Sequence, residues 1–337
     1  MDASTPVNVI FDTDPGIDDA MALFLLARHP AIRLRAITSV FGNASVATTT
    51  RNAQGLCSLY GLDVPVAMGA AGPWKSAAEA EFPDHVHGED GLGGMAHLAE
   101  VGGPIDPRPA HQLICDMVNA EPGAITLIAV GPMTNLALAL RHDPSIVSKV
   151  RQVIVMGGAF GTNAHCGNVT PVAEANIIND PEAADLVFTA AWPVVLVGLD
   201  VTQEVIMTEA FLSALQGRGV NGQNRVGDFM WQATRHYQDF YNDRDGIVGI
   251  YSHDASAIAY AIEPEAFELR AGPVRVVTEG IARGQTIQDF REFQRPSPPK
   301  FGPPSAWSGC PAQQVCIGVK PERVLALFDQ AFEEQLP

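Results

Sequence analysis

The 337-residue chain is poor in cysteine, in positive charge and in long apolar runs. Its five cysteines, Cys57, Cys115, Cys166, Cys310 and Cys316, are odd in number and scattered, and none forms a C-x-x-C pair. That argues against a disulfide framework and against a structural zinc site, and fits a reducing cytoplasm. Lys and Arg total 21 against 38 Asp and Glu, a formal net charge of −17. Phosphate-rich partners want a basic surface, so neither nucleic acid nor an anionic membrane is expected. No apolar run approaches the roughly 18 residues of a membrane span, and no basic-then-apolar leader precedes Val7. A G-x-G-x-x-G fingerprint is also missing; the glycines of Gly157-Gly158-Ala159-Phe160-Gly161 are too irregular for dinucleotide binding. They are better suited to letting backbone pass close to a ligand or strand. With 47% hydrophobic and 18% charged residues, no internal repeat and no convincing linker, the chain reads as one globular domain over 1–337.

What is present centres on Val7-Asn8-Val9-Ile10-Phe11-Asp12-Thr13-Asp14-Pro15-Gly16-Ile17-Asp18-Asp19-Ala20. An apolar strand ends in Asp12 and Asp14, Pro15-Gly16 turns the chain, and Asp18 and Asp19 open a helix expected over 18–29. Four carboxylates in eight residues repel one another. A helix N-terminus offers only about 0.3–1 kcal/mol per acid, too little to hold such a cluster. Helix capping explains acids after the turn but not those before it. A hard divalent cation with oxygen ligands supplies what is lacking.

Downstream, strand-like runs at 32–40, 64–68, 124–130, 150–156 and 193–199 alternate with helical patterns at 44–60, 110–120, 133–141 and 181–190. This rhythm predicts βαβ units: an α/β fold with an open, mostly parallel Rossmann-like sheet flanked by helices. Ligands of such sheets sit at the carboxyl ends of the strands, where Asp12 to Asp19, Asn43, Val130 and the segment Asn168 to Asn176 all fall. A rim of carboxylates, amides and carbonyls favours calcium over softer metals. Residues 70–103 break the rhythm and are expected to form a mobile lid. His85, His87 and His97 within it lack zinc spacing and read as solvated loop histidines. A helix at 224–243 carries Tyr237 and Tyr241 on one face, either as core or as contacts to a ligand. Near the C-terminus apolar runs at 274–277 and 315–319 precede a helix at 321–332, and the Pro-rich stretch 295–310 reads as an irregular insertion. His253 can protonate a leaving group, its ordinary pKa being about 6.5, and Asp254 beside it supplies a distal carboxylate.

Taken in order, Asp12-Thr13-Asp14-Pro15-Gly16-Ile17-Asp18-Asp19-Ala20, Gly131-Pro132-Met133-Thr134-Asn135, Val155-Met156-Gly157-Gly158, Val172-Ala173-Glu174-Ala175-Asn176 with Asp180-Pro181-Glu182, His253-Asp254 and Gly284-Gln285-Thr286-Ile287-Gln288-Asp289 resemble the motifs of the inosine-uridine-preferring nucleoside hydrolases over nearly the whole chain. The resemblance implies calcium-dependent hydrolysis of the N-glycosidic bond of ribonucleosides to free base and ribose, in nucleoside salvage, by a cytoplasmic homodimer or homotetramer. It implies that Asp14, Asp19, Asp254 and the Val130 carbonyl hold calcium and that Asp14 also activates the attacking water. Asp18, Asn43, Asn168, Glu174 and Asn176 match groups that hold the ribose hydroxyls. His253 matches the histidine that activates the leaving group, and His87 lies in the loop over the base, where Tyr237 and Tyr241 are further candidates. The chain departs from relatives at Ala175, where some carry phenylalanine, at Val130, where some carry threonine, and in the length of the Pro-rich stretch. These departures bear on base preference rather than on the reaction.

Two rivals compete with this reading. Asp12-Thr13-Asp14 is also a D-x-D at a strand end, as in phosphotransferases of the haloacid dehalogenase type. Pro15-Gly16 and the second acid pair argue against it, as does the want of a later lysine followed by acids. A nucleoside-binding protein without turnover is the other rival, and Asp14 with His253 argues against it.

Overall fold

In the computed structural model, residues 6–75, 82–98, 103–219, 225–291 and 306–333 are described. A ten-stranded sheet runs in the order β11-β10-β12-β7-β6-β5-β1-β2-β3-β4. Its strands are β1 (Val7–Thr13), β2 (Ile32–Ser39), β3 (Val66–Met68), β4 (Ile105–Asp106), β5 (Ile125–Ala129), β6 (Gln152–Met156), β7 (Val194–Val197), β10 (Phe267–Val276), β11 (Thr286–Gln288) and β12 (Ala312–Val319). A separate antiparallel pair is formed by β8 (Ile206–Thr208) and β9 (Gly249–Tyr251). From β12 to β4 every pairing is parallel; β10 runs antiparallel to both β12 and β11.

Both faces of this sheet are covered, which is why its central strands β5, β6 and β7 are apolar at nearly every position. Successive side chains point to opposite faces. Val9 and Phe11 therefore enter one core, with α1 (Ile17–Arg28), α2 (Val46–Tyr60), α10 (Arg225–Asp245), α11 (His253–Ile262) and α12 (Pro321–Glu333). Ile10 enters the other, with α4 (Ala110–Ala120), α5 (Thr134–His142) and α7 (Pro181–Thr189). Phe11, Phe24, Phe188 and Trp192 are fully buried between these layers. β1 lies between β2 and β5, with Asp12 in register with Thr38 on one side and Ala129 on the other. The acid-bearing strand end is thus in the middle of the carboxyl rim.

The expected parallel core and its helices lie within a few residues of the stretches read from the sequence. The short strands β4, β8, β9 and β11 carry too few residues to show a period, and the antiparallel addition of β10 has no local signal at all. The Pro-rich stretch 295–310 falls mostly outside the described residues. The segment read as a mobile lid is anchored where it is described. It contains α3 (Asp84–His87), and the Asp90 carboxylate accepts from the amides of Leu92, Gly94 and Ala96, each at 2.9 Å. Asn52 Nδ2 ties it to the first turn, donating to the carbonyls of Pro15 (3.0 Å) and Asp90 (2.9 Å).

Helix α2 ends on Gly61 at φ 71°, the left-handed cap expected of a glycine there, and a Cβ at that position would meet nothing within 4 Å. Gly61→Ala therefore adds backbone strain without a clash. Denaturant unfolding of this variant is expected to show a loss of about 1 kcal/mol with catalytic constants unchanged.

Candidate functional site

At the end of β1 the sequence forces four acids out of water together. Asp12, Asp14 and Asp19 are each 1% exposed, and Asp254 only 2%. Asp19 opens α1 and is well supplied with donors. Its oxygens accept from Thr13 Oγ1, from the Gly16 amide (2.9 Å) and from Asn43 Nδ2 (2.9 Å). Asp12 accepts from Thr38 Oγ1 (2.6 Å) and Asn135 Nδ2 (2.8 Å). Asp14 has one donor, the Asn43 amide at 2.8 Å. One oxygen each of Asp12, Asp14 and Asp18 is buried with no hydrogen-bond partner. Such orphaned carboxylate oxygens are costly unless a cation takes them.

Asp18, Asp19 and Asp254 each present one oxygen within 4.8 Å of the other two. Every donor here is an oxygen, which suits a hard cation such as calcium. The residues present therefore fit the ion, but the closest set differs from the expected one. Asp18 rather than Asp14 groups with Asp19 and Asp254, and the oxygens of Asp14 lie beside Gly42 and Gly131, where a Cβ would strike them. The Val130 carbonyl, expected as a ligand, accepts from Asn176 Nδ2 at 2.7 Å. Among the described residues, His85, His87 and His97 form no comparable group.

Above the acids opens a cavity of about 430 Å³. One half of its wall is polar and comes from strand ends: Asp18, Asn43, Val130, Asn168, Glu174, Asn176 and Asp254. Glu174 caps α6 (Ala175–Asn179), accepting from the amides of Asn176 (2.9 Å) and Ile177 (3.1 Å), and also from the Gly158 amide (3.0 Å). Asn168 Oδ1 accepts from the Ala175 amide at 3.0 Å. The other half is aromatic and comes from α3 and α10: Phe82, His85, His87, Tyr237, Phe240 and Tyr241, with Arg244 at its edge. The sequence pattern overlooked Phe240 and Arg244, although both lie a helical turn from residues it singled out.

His253 opens α11 and is joined to α10 by a continuous run of hydrogen bonds. Thr202 Oγ1 lies 2.8 Å from His253 Nδ1, and Tyr241 Oη lies 2.8 Å from His253 Nε2. Tyr241 donates to Tyr237 at 3.0 Å, and Tyr237 donates to Asp18 at 3.2 Å. An ionised carboxylate can only accept, so each phenol must point toward Asp18. His253 then carries its proton on Nε2 and accepts from Thr202 at Nδ1. Thr202 has no signal in the sequence that would single it out. His87 is a correction. It is buried rather than solvated; Nδ1 accepts from the Ile17 amide at 3.3 Å, and its ring packs 5.2 Å from that of Tyr237. His85 and His97 are exposed, as expected.

Burial sets the protonation of these groups. It pushes Asp12 up to about 7 against the pull of Thr38 and Asn135, and Asp18 up to about 6. Burial followed by the charge of Asp18 raises Asp19 to about 6 and Asp254 well above the carboxylate range. For Asp14, burial is reinforced by Asp19. The imidazoles move the other way. Burial takes His87 down to about 4, and burial with the nearby Arg244 takes His253 down to about 3. Both are neutral near pH 7.

Fold and site together define an α/β protein of the doubly wound type with a small-molecule cavity at the carboxyl ends of its strands, over a cluster of buried carboxylates. The comparisons with known proteins are specific. Residues 9–326 match the family model described as inosine-uridine preferring nucleoside hydrolase. The chain is 38% identical over 325 residues to the probable uridine nucleosidase 1 of Oryza sativa subsp. japonica, covering 96% of this chain and 95% of that one. It is 39% identical over 289 residues to the inosine-uridine preferring nucleoside hydrolase of Crithidia fasciculata, covering 85% and 89% respectively. The solved structure of a plant nucleoside hydrolase superposes with a TM-score of 0.89 at 36% identity, over 97% of this chain and 99% of that one. The chain belongs to the inosine-uridine preferring nucleoside hydrolase family. It is a hydrolase of the N-glycosidic bond of ribonucleosides, releasing base and ribose.

The raised carboxylates make a test of the cluster. Unfolded, these acids titrate near 3.8; folded without a cation, Asp12, Asp18 and Asp19 keep protons up to about 6–7. The folded state holds the extra protons, so their stabilisation is present at low pH and is lost as pH rises through that window. The depressed histidines cost stability only below about 6.5 and do not oppose this at higher pH. In chelator-treated protein the thermal midpoint is expected to fall between about pH 6 and pH 8. Added calcium is expected to raise it more at the upper end. An equal rise at both values would show that the cluster does not hold the ion.

Proposed function

We propose that this chain carries out its hydrolysis with one calcium ion on the carboxylate floor, with the ribose seated against Asp18, Asn43, Asn168, Glu174 and Asn176 and the base between α3 and α10. The observation that carries the reading is the set of buried carboxylates, three of them with an oxygen lacking a donor, whose members Asp18 and Asp254 reach the wall of a cavity of about 430 Å³. Asp14, Asp18, Asp19 and Asp254, with the Val130 carbonyl, are the groups to hold the ion. Calcium bound there supplies the positive charge that keeps these acids ionised and makes a neighbouring water easier to deprotonate.

Asp14, with one oxygen free, is the base that takes the water's proton. As the glycosidic bond lengthens, the ribose becomes cationic. The anionic floor and Glu174 face that charge, so they favour the transition state over the neutral substrate. On the far side the departing base gains electron density and needs a proton or a donated hydrogen bond. Neutral His253 donates its Nε2–H to Tyr241 and so holds that phenol at the cavity wall; turning from Tyr237, the Tyr241 hydroxyl donates a hydrogen bond to the departing base, which takes its proton from solvent. His87 closes the seam between ribose and base.

Uridine and inosine are the substrates to expect first, from the relatives' names. A role in salvage, a cytoplasmic location and a homodimeric or homotetrameric assembly complete the reading. Among the described residues, no helix is long and apolar enough to cross a membrane.

The test is release of reducing sugar from inosine, uridine, cytidine, adenosine and guanosine, with and without chelator. Chelator-sensitive release is expected, and release that survives complete calcium removal would refute the metal assignment. Asp14→Ala is expected to lower kcat about a thousandfold while keeping the native circular dichroism spectrum. Tyr241→Phe removes one hydrogen bond from the leaving-group side, and kcat is expected to fall about tenfold, the equivalent of roughly 1.4 kcal/mol. Near-normal turnover in Asp14→Ala would remove the mechanism.

A further inference from the structure

The motif Gly284-Gln285-Thr286 stands in family order, yet none of its residues lines the cavity. The structure puts it behind the ribose wall. Thr286 begins the short edge strand β11 and is 4% exposed. Its hydroxyl makes two hydrogen bonds to one residue: it donates to the Ala159 carbonyl at 2.9 Å and accepts from the Ala159 amide at 3.0 Å. Ala159 follows Gly158, whose amide donates to Glu174 Oε2 at 3.0 Å. The same edge segment also grips the other side of Glu174. Gln285 forms an isolated antiparallel bridge with Ala173, and Gly284 packs so closely that a Cβ would come within 2.8 Å of the Ala173 Cβ and 2.7 Å of Ile178 Cδ1.

Glu174 is therefore the tip of an arm held at two points by residues 284–286. Of its three amide donors, those of Asn176 and Ile177 are local and come with the cap of α6. The Gly158 amide is the one that fixes the carboxylate against the rest of the sheet, since residues 157–160 follow β6 directly. The Thr286 hydroxyl holds the next peptide in place: a hydrogen-bonded side chain at both its carbonyl and its amide leaves the Gly158–Ala159 unit little freedom to turn its amide away.

We infer that Thr286 is a positioning residue for the hydrolysis, aligning Glu174 toward the ribose through the Ala159 and Gly158 main chain. This rests on the placement of Glu174 against the ribose in the proposed function. A misplaced carboxylate at a site where charge develops costs rate even when the fold is intact.

The experiment is a double-mutant cycle on uridine and inosine hydrolysis. Thr286→Val keeps the shape and removes the hydroxyl; kcat/KM is expected to fall about tenfold or more. Thr286→Ser keeps the hydroxyl and is expected to stay within about threefold of the parent. In a Glu174→Ala background, Thr286→Val is expected to change kcat/KM by less than about twofold, because the group it aligns is gone. Additive losses in the two backgrounds, or a valine variant as active as the parent, would overturn the positioning role while leaving the proposed function standing. If Thr286→Val does not fold, the same cycle is run with Thr286→Ala against Thr286→Ser. A parent enzyme whose rate is indifferent to Glu174→Ala would instead overturn the placement of the ribose, and this inference with it.

Discussion

Electrostatic self-repulsion among desolvated acids is the constraint on which this molecule is built. Asp12, Asp14, Asp18, Asp19 and Asp254 are buried together at the centre of the sheet's rim; burial is the largest cause raising each of their pKa values, and neighbouring carboxylates add to it at Asp14, Asp19 and Asp254. Each neighbouring element gives them something. The turn after β1 donates the Gly16 amide, the end of β2 leads to Asn43, and α5 brings Asn135 from the opposite core. These donors are enough to order the acids but not to neutralise them. The remaining deficit is what makes the site receptive to a cation and to a substrate that becomes one during reaction.

The two apolar cores serve that arrangement. Because β1 is covered on both faces, the strand carrying the acids cannot tilt without disturbing one packed layer or the other. Asn135 shows how finely this is tied. It binds Asp12, the Ser39 carbonyl (3.0 Å) and the Ala70 amide (2.9 Å), so one side chain couples β1, β2 and the chain that leaves β3. The position of the acids is a property of the whole sheet rather than of the loop that contains them.

Much of this was legible in the sequence because its causes are local. A strand closing on two acids, a Pro-Gly turn and an acid pair at a helix start leave few alternatives, and the alternation of apolar runs with helical patterns prescribes the parallel sheet. Gly61, left-handed at the end of α2, and Pro181, at the first position of α7, suit a helix end and a helix start for reasons of local backbone geometry. What stayed hidden depended on distant partners. The burial of His87 follows from its packing on Tyr237 and the start of α1, 150 and 70 residues away in either direction, and no pattern around 85–97 announces it. Thr202 is an ordinary threonine until the fold brings it to His253, and Thr286, though part of a motif, has no visible purpose until the fold brings it to Ala159. That Asp18 rather than Asp14 groups with Asp19 and Asp254 is likewise set by where the fold brings α11 against the start of α1, which no spacing encodes.

The cavity wall has divided ancestry: its polar half is built from strand ends rooted in two cores, its aromatic half from one long helix and a short one laid over the rim. The first half is shared structural property and tolerates little change. The second includes Phe240 and Arg244 of α10, which stand outside the hydrogen-bond run from His253 to Asp18. With the base seated as proposed, substitution at these two positions would change what the heterocycle meets while leaving the acids and that run of hydrogen bonds in place.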